Sequence, residues 1–406
     1  MTRFFALLSF LLIAYFMYGF YINQYEVSVI PTQIARDHSS LLNDYKGVMN
    51  VHTDISSGSA PASFVITSAK LANLDFLFFT DLNIFNMPYS VESYHGNLLV
   101  FSAGKYSYLD SRLLYYSLNQ ESIGSNLGEA QVKLADLLSQ KTGASKDTLT
   151  ILAHPYKAGF SWVGDIPSGL DGFEILNMKS LINRAWGESK LSTIWSLLIY
   201  PFNPRLSFLR LYTEPAEELA LFDRLSKDRR IVAYGGTEAS ARVIPLANYF
   251  IRFPSYKRSF EFMSNHILLK SELTGNFTSD RQKVFTAMKN GNFYVSLDML
   301  GDPKGFVAVM EEDAGKIHLM GNEVKFNPKK GMNLKVSLPT KPTSFFEIVI
   351  YKDGEPVARI NEPETSFPLP GPGTYRVQVR VSPLLPLPDA KKWITWIYTN
   401  PFYVKP

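Results

Sequence analysis

The stretch LDFLFFTDLN, residues 74–83, decides the fold, because it is an apolar run of strand length that stops at a carboxylate. Continuous apolar runs of about four to eight residues are typical of strands buried on both faces, as in parallel sheets. Asp81 follows the run directly. Because folds built on parallel strands bind ligands at the carboxyl ends of those strands, Asp81 is a candidate site residue.

Further apolar runs repeat this pattern along the chain, at residues 47–51, 98–103, 149–153, 172–176 and 231–234. The residues at or just beyond their ends include His52, Gly104, His154, Asn177 and Gly236. Helical patterns separate several of the runs, at residues 62–71, 128–140 and 214–226. The alternation predicts an α/β fold over residues 46–300, either an α/β barrel or a related parallel sheet.

After about residue 300 the pattern changes to short strands between Gly and Pro turns, with no helical periodicity. The dipeptide Asp353-Gly354 between two of these strands is a strong hairpin signal. About seven strands in about 100 residues predict a small all-β sandwich of immunoglobulin-like type. We therefore expect a second domain over residues 301–406.

The amino terminus has the pattern of a membrane anchor, since residues 4–22 contain no charged side chain. A helix of this length spans about 28 Å, close to the hydrocarbon thickness of a bilayer. Arg3 precedes the run and the next basic residue is Arg36, which predicts a cytoplasmic segment 1–3 and a stalk, 23–45, leading to an exported domain. The run ends in large aromatic residues instead of a cleavage site, which favours an uncleaved single-pass anchor in a bacterial inner membrane, with the bulk of the chain periplasmic.

Composition excludes several classes of protein. The 406 residues include 41 Lys or Arg and 37 Asp or Glu, and 46% are hydrophobic, so neither a disordered chain nor a nucleic-acid partner is expected. The chain contains no cysteine, which excludes disulfides, thiolate metal sites and a cysteine nucleophile. Any metal must therefore be bound by His, Asp or Glu, and there are six histidines.

Polar residues at strand ends form the candidate site. His52, Asp81, His154 and Glu238 each lie at or just after the end of an apolar run. Asn50 precedes His52 by two residues, which puts both side chains on one face of a strand. Four such coincidences favour a shared pocket.

Five motifs in this order resemble those of the PHP family, named for polymerase and histidinol phosphatase. In this chain they read Asn50-Val51-His52 with Ser56-Ser57-Gly58, Thr80-Asp81-Leu82-Asn83, Gly104-Lys105-Tyr106, Ala153-His154-Pro155 and Gly236-Thr237-Glu238-Ala239-Ser240. The resemblance covers about residues 46–300, and WIYTNP at 396–401 is similar to the carbaryl-hydrolase-type branch. It implies a distorted barrel that performs metal-dependent phosphoesterase chemistry around as many as three metals.

The resemblance also has departures, which bear on the metal. Mapped onto the family's ligands, four positions keep metal-binding side chains: His52, Asp81, His154 and Glu238. Five positions do not: Asn50, Ser57, Leu82, Tyr106 and Ser240 stand where the family has His, Asp, His, Glu and His. Leucine has no donor atom, and the neutral Asn, Ser and Tyr bind zinc weakly. The comparison argues against three metals and leaves room for one divalent ion, Zn, Mn or Fe.

Two functions follow as hypotheses. The first is a pseudoenzyme, a membrane-anchored protein with an impaired metal site that binds a ligand or acts as a scaffold. The alternative is a mononuclear metal-dependent hydrolase of phosphoesters or other esters, with Asp54 or Tyr106 handling protons. A purely structural envelope protein is a third class, suggested by the anchor and the sandwich.

Residues 191–202 are apolar, contain Trp195 and are flanked by basic residues. The segment is too short to span a bilayer, so it either packs over the barrel as a core helix or lies in the membrane interface. The second interpretation would make a lipid headgroup or another envelope component a plausible partner.

Overall fold

The computed structural model describes residues 2–27, 29, 42–86, 88–141, 145–246, 249–313, 315–328, 331–389 and 391–406. Most of the predicted stalk lies outside these residues. The helices are α1 (Thr2–Asn23), α2 (Ala62–Leu71), α3 (Leu127–Ser139), α4 (Met178–Glu188), α5 (Lys190–Ile199), α6 (Pro204–Leu211), α7 (Ala216–Asp228), α8 (Tyr256–Phe260) and α9 (Phe277–Asn290). Short 3₁₀ helices span Tyr89–Val91 and Asp298–Leu300.

The strands of the first part are β1 (Asn43–Val51), β2 (Phe76–Leu82), β3 (Tyr94–His95), β4 (Leu98–Tyr108), β5 (Ser111–Ser117), β6 (Thr148–Ala153), β7 (Gly172–Asn177), β8 (Val232–Gly236), β9 (Arg242–Leu246), β10 (Tyr249–Phe253), β11 (Ser264–Leu269) and β12 (Phe293–Ser296). Those of the second part are β13 (Val307–Glu312), β14 (Ile317–His318), β15 (Glu323–Lys325), β16 (Met332–Ser337), β17 (Phe345–Lys352), β18 (Glu355–Ile360), β19 (Glu364–Pro368), β20 (Gly373–Ser382), β21 (Ile394–Thr399) and β22 (Phe402–Lys405). The predicted apolar runs coincide with β1, β2, β4, β6, β7 and β8.

A large mixed sheet forms the first part, in the order β11-β1-β2-β4-β5-β6-β7-β8. Strands β1, β2 and β4 are parallel, as are β6, β7 and β8, and β5 joins the two sets by antiparallel pairing. The sheet curves back on itself, since a parallel bridge between Val51 and Ala239 connects the ends of β1 and β8. The α/β prediction is confirmed, and the carboxyl ends of these strands meet at this seam.

The second part continues the large sheet beyond residue 300 instead of forming a separate sheet pair. Strand β21 pairs with β12, and β20, β22 and β15 extend the sheet on its far side. A second sheet of four strands has the order β14-β13-β16-β19. An immunoglobulin-like sandwich is not confirmed, and the domain boundary near 300 stays a prediction. The hairpin at Asp353-Gly354 is confirmed, because it joins β17 to β18 with positive φ at both turn residues.

Helix α1 is long and apolar enough to cross a membrane, with a mean hydropathy of 2.0 over its best window. Nearly all of its side chains are exposed, so it does not serve as a core helix in the folded domain. Signal sequences share this length and hydropathy with retained anchors.

A buried charged pair connects β1 and β11 with the segment after β12. His266 is fully buried, with Nδ1 2.8 Å from the Asp44 carboxylate and Nε2 3.5 Å from that of Asp298, and its ring stacks on Tyr294. Burial alone lowers the pKa of His266, but these two carboxylates outweigh it and raise that pKa to about 10. The protonated imidazolium therefore stabilises this junction at neutral pH.

We predict that the stability contributed by His266 depends on pH. Because folding raises its pKa, the contribution is complete below the unfolded value of about 6.5 and is lost as pH rises toward 10. His266→Gln should therefore lower the Tm of the detergent-solubilised chain more at about pH 6 than at about pH 10. The control is His95→Gln, which replaces a half-buried histidine that contacts Ser93, and an equal loss at both pH values for His266→Gln would contradict the prediction.

Candidate functional site

The site lies where β1, β4, β6, β7 and β8 end, next to the seam between β1 and β8. Asn50, His154 and Glu238, each at or beside a strand end, adopt left-handed backbone conformations with φ of 61°, 35° and 45°. Such conformations are costly for residues other than glycine and cluster at functional sites. The seam itself holds Asn50 and Glu238, since the amide of Ala239, the residue after Glu238, donates to the carbonyl of Asn50.

Glu238 is the centre of the site. Its Oε1 atom accepts from the ammonium groups of Lys105, Lys157 and Lys179, each at 3.3 Å. Burial by itself raises the pKa of Glu238, but the three ammonium groups outweigh it and hold that pKa well below its usual value. Glu238 is therefore ionised, and the cluster carries three positive charges against one negative charge.

A second carboxylate lies beneath this cluster. Glu174 is fully buried, accepts from Asn50 Nδ2 at 2.8 Å and Asn177 Nδ2 at 2.7 Å, and also accepts from the backbone amide of His154 at 3.0 Å. Burial raises the pKa of Glu174. Gly236 makes room for it, because a Cβ atom at that position would lie 1.8 Å from the carboxylate.

Lys105 connects the two layers. It is 3% exposed and its Nζ donates to Asn50 Oδ1 at 3.1 Å as well as to Glu238. Asn50 thus presents its oxygen to a cation and its nitrogen to Glu174. These two bonds explain how asparagine fits at position 50.

Both predicted histidine ligands are buried beside the lysines. Burial and the positive charge of Lys105 lower the pKa of His154 to about 3 and that of His52 well below its usual value. Both imidazoles are neutral at pH 7. Within the described residues, His52 Nδ1, His154 Nδ1 and Glu238 Oε2 are buried without a hydrogen-bond partner.

Asp81 has a different environment. Its carboxylate accepts from the backbone amide of Thr53 at 2.7 Å, the Thr53 hydroxyl at 2.8 Å and the Ser56 hydroxyl at 2.5 Å. These bonds fix the loop that follows β1. The carboxylate is thereby occupied by protein donors.

The remaining predicted residues lie outside the lysine cluster. Asp54 and Ser57 are exposed in the loop after β1, and Leu82 is half-buried at the end of β2. Tyr106 donates to the carbonyl of Ile84 at 3.0 Å, and burial raises its pKa. Ser240 is buried, and its carbonyl accepts from Tyr256.

The donor set does not fit the divalent metal that the resemblance implies. Leu82 offers no donor, Asp81 is occupied by Thr53 and Ser56, and Glu238 is surrounded by three ammonium groups. A divalent ion 4 Å from one ammonium group would be repelled by about 8 kcal/mol at an effective dielectric constant of 20. Across the described ranges, no three His, Asp or Glu side chains are grouped as metal ligands.

The sequence pattern missed the lysines. Lys105 lies inside the motif Gly104-Lys105-Tyr106, in which Tyr106 occupies the position of the family's ligand. A charged residue at the end of a fully buried strand is costly without a partner, so Lys105 was a signal that a carboxylate must face it. Lys157 and Lys179 follow β6 and β7 by a few residues. This spacing is consistent with positions near the strand ends, but it does not single out the two lysines as site residues.

Comparisons with known proteins give a coarse result: no family model and no curated protein matches the chain. A two-domain Bacteroides vulgatus protein described as containing a PHP-like metal-dependent phosphoesterase is 10% identical over 92% of this chain and 98% of its own, with a TM-score of 0.40. A Bifidobacterium adolescentis protein described as a metal-dependent phosphoesterase is 11% identical over 50% of this chain and 92% of its own, with a TM-score of 0.27. Identities and TM-scores this low say nothing about the side chains of the site. Neither match bears on the carbaryl-hydrolase-type branch.

We predict that the charges of the cluster depend on one another. Glu238→Gln leaves three ammonium groups without their carboxylate, and breaking a buried ion pair in this way costs about 3–5 kcal/mol of unfolding free energy. Adding Lys105→Met to Glu238→Gln should restore part of this loss. Chemical denaturation of wild type, both single variants and the double variant measures the coupling. Strictly additive losses of unfolding free energy would contradict the predicted coupling between Lys105 and Glu238.

Proposed function

We propose that this chain binds a phosphate-bearing anion at the lysine cluster without a metal ion. The observation that carries the proposal is the approach of Lys105, Lys157 and Lys179 to a single carboxylate oxygen. Counting Glu238, the four groups leave two positive charges (3 − 1 = 2). A phosphomonoester carries between one and two negative charges near pH 7, so its charge complements the cluster.

The three lysines of the cluster differ in their exposure to solvent. The side chain of Lys179 is 24% exposed, whereas those of Lys105 and Lys157 are 4% and 9% exposed. Lys179 lies in the first turn of α4, which is capped by Asn177. A ligand would therefore meet Lys179 first, and burial together with the charges of Lys105 and Lys157 lowers the pKa of Lys179, against the effect of Glu238.

The rim adds a further cation and aromatic surface. The Arg112 guanidinium lies 4.5 Å from the centre of the Phe160 ring, and the Lys157 ammonium lies 5.3 Å from the same ring. Phe160 also packs edge-on against His154. These contacts favour a ligand that joins a phosphate to an apolar or aromatic group.

The chemistry of the site favours binding over hydrolysis. A general base works best when its pKa lies near the working pH, and the pKa of about 3 makes His154 a weak base at neutral pH. Asp81 is engaged by Thr53 and Ser56, so it does not take over this role. A pseudoenzyme is therefore the function that these side chains support best.

We also propose that α1 is retained as a membrane anchor. Its last turns bond to the folded domain, because Asn203 donates from Nδ2 to the carbonyls of Ile22 and Tyr25. Removal of a signal peptide at this point would discard contacts that the domain makes. Intact mass of the chain purified from bacterial membranes should include residues 1–23, and loss of those residues would contradict retention.

A mononuclear metal-dependent hydrolase is the second candidate. The observation in its favour is that His52 Nδ1, His154 Nδ1 and Glu238 Oε2 lack partners within the described residues. It requires the ammonium groups around Glu238 to move or lose protons, which is the reason it ranks second.

Calorimetric titration of the full chain with phenyl phosphate, in the presence of a chelator, tests the binding proposal. Wild type should bind, and Lys179→Met should weaken binding about tenfold or more because it removes an ammonium group from the phosphate. The matched control is Lys133→Met, since Lys133 is a surface lysine paired with Glu121. No heat of binding for wild type, or equal binding by both variants, would overturn the proposal.

Metal content separates the two candidates. We expect mass spectrometry of the tag-free full chain, supplied with zinc or manganese, to find no stoichiometric metal in wild type. About one metal per chain, lost in both His52→Ala and His154→Ala, would instead support the mononuclear hydrolase.

A further inference from the structure

Six exposed apolar side chains of the folded domain lie in two segments beside α1. One is α5, and the other is the loop that follows β20. Leu191 is 82% exposed and Leu387 is 78% exposed, values unusual for large apolar side chains. We call these side chains the leucine face; it consists of Leu191, Ile194, Leu197, Leu198, Leu384 and Leu387.

Helix α1 contacts these same two segments. The Tyr15 hydroxyl donates to the carbonyl of Leu198 at 2.8 Å, and the Tyr18 hydroxyl donates to the carbonyl of Leu387 at 2.8 Å. The hydroxyl of Tyr25, just after the helix, donates to the carbonyl of Leu384. The leucine face is therefore continuous with the apolar surface of α1.

Packing fixes the helix against the domain. Positions 15, 18, 19 and 22 form one stripe of the helix and face the domain, whereas Met17, Phe20 and Tyr21 stay exposed on the other side. Gly19 allows the close approach, because a Cβ atom there would lie 2.5 Å from the ring of Phe202. Trp195 packs against Tyr18, so the leucines of α5, and not its tryptophan, form the exposed surface.

The length of α1 determines how deep this face lies. Residues 2–14 precede the first contact with the domain and rise about 20 Å, whereas the hydrocarbon core is about 30 Å thick. If α1 crosses the membrane, its contacts at Tyr15 and Tyr18 fall within the outer part of the bilayer. Helix α5 and the loop that follows β20, which make those contacts, then lie at the same depth in the bilayer.

We propose that the leucine face inserts into the lipid bilayer beside α1 and holds the domain in one orientation on the membrane surface. The exposed basic side chains of Lys190, Arg205 and Lys391 flank it, where they would meet anionic headgroups. This inference rests on the proposed membrane attachment of α1 and is independent of the anion bound at the lysine cluster.

The chain has no cysteine, so single cysteines allow nitroxide labels at chosen sites of the full protein in vesicles of phosphatidylglycerol and phosphatidylethanolamine. We would label Leu191→Cys and Leu387→Cys on the face and Leu8→Cys on α1. The matched control is Leu109→Cys, because Leu109 is 76% exposed in a turn beyond β4. Electron paramagnetic resonance then compares relaxation by oxygen, which enters lipid, with relaxation by a water-soluble nickel chelate.

Labels at positions 191 and 387 should resemble that at position 8, with high oxygen and low nickel accessibility, and the label at 109 should show the reverse. Nickel accessibility at 191 and 387 equal to that at 109, with position 8 still protected, would overturn the leucine face alone. Nickel accessibility at position 8 as well would overturn the membrane attachment of α1 and this inference together.

Discussion

The seam between β1 and β8 is the constraint on which the site depends. The backbone amide of Thr237 donates to Met49, that of Ala239 donates to Asn50, and that of His52 donates to Ala239. These bonds bring strand ends that are almost 190 residues apart in sequence into one plane. Because Asn50 and Glu238 flank the seam with positive φ, their side chains lie near each other instead of following the regular alternation of a strand.

Charge then decides what the seam can bind. Once Glu238 is buried, its negative charge must be balanced by a positive charge. Lys105, Lys157 and Lys179 provide three times the charge that one carboxylate requires. Burial, together with this surplus, lowers the pKa of His52 and of His154. The surplus also disfavours a metal ion at the same position. The ammonium groups therefore supply the positive charge that the buried Glu238 carboxylate requires.

The proposed membrane attachment and the lysine cluster involve separate parts of the chain. Helix α1 packs against α5 and the loop near Leu387, whereas the lysine cluster lies at the strand ends of the large sheet. A domain held by both a helix and an apolar face would have little rotational freedom on the membrane. Such a domain would keep the mouth of its site at a fixed angle to the lipid surface.

The sequence by itself determined several elements of this protein. Apolar runs of strand length located β1, β2, β4, β6, β7 and β8, and the hairpin dipeptide located the turn between β17 and β18, because both signals are local. It also predicted that His52, Asp81, His154 and Glu238 share a pocket, since strand ends in an α/β sheet converge. Only the tertiary structure decided what those residues do. Whether Asp81 faces a pocket or a loop, and which lysines reach Glu238, depends on side-chain directions and on contacts between residues up to 133 positions apart, which no local pattern records.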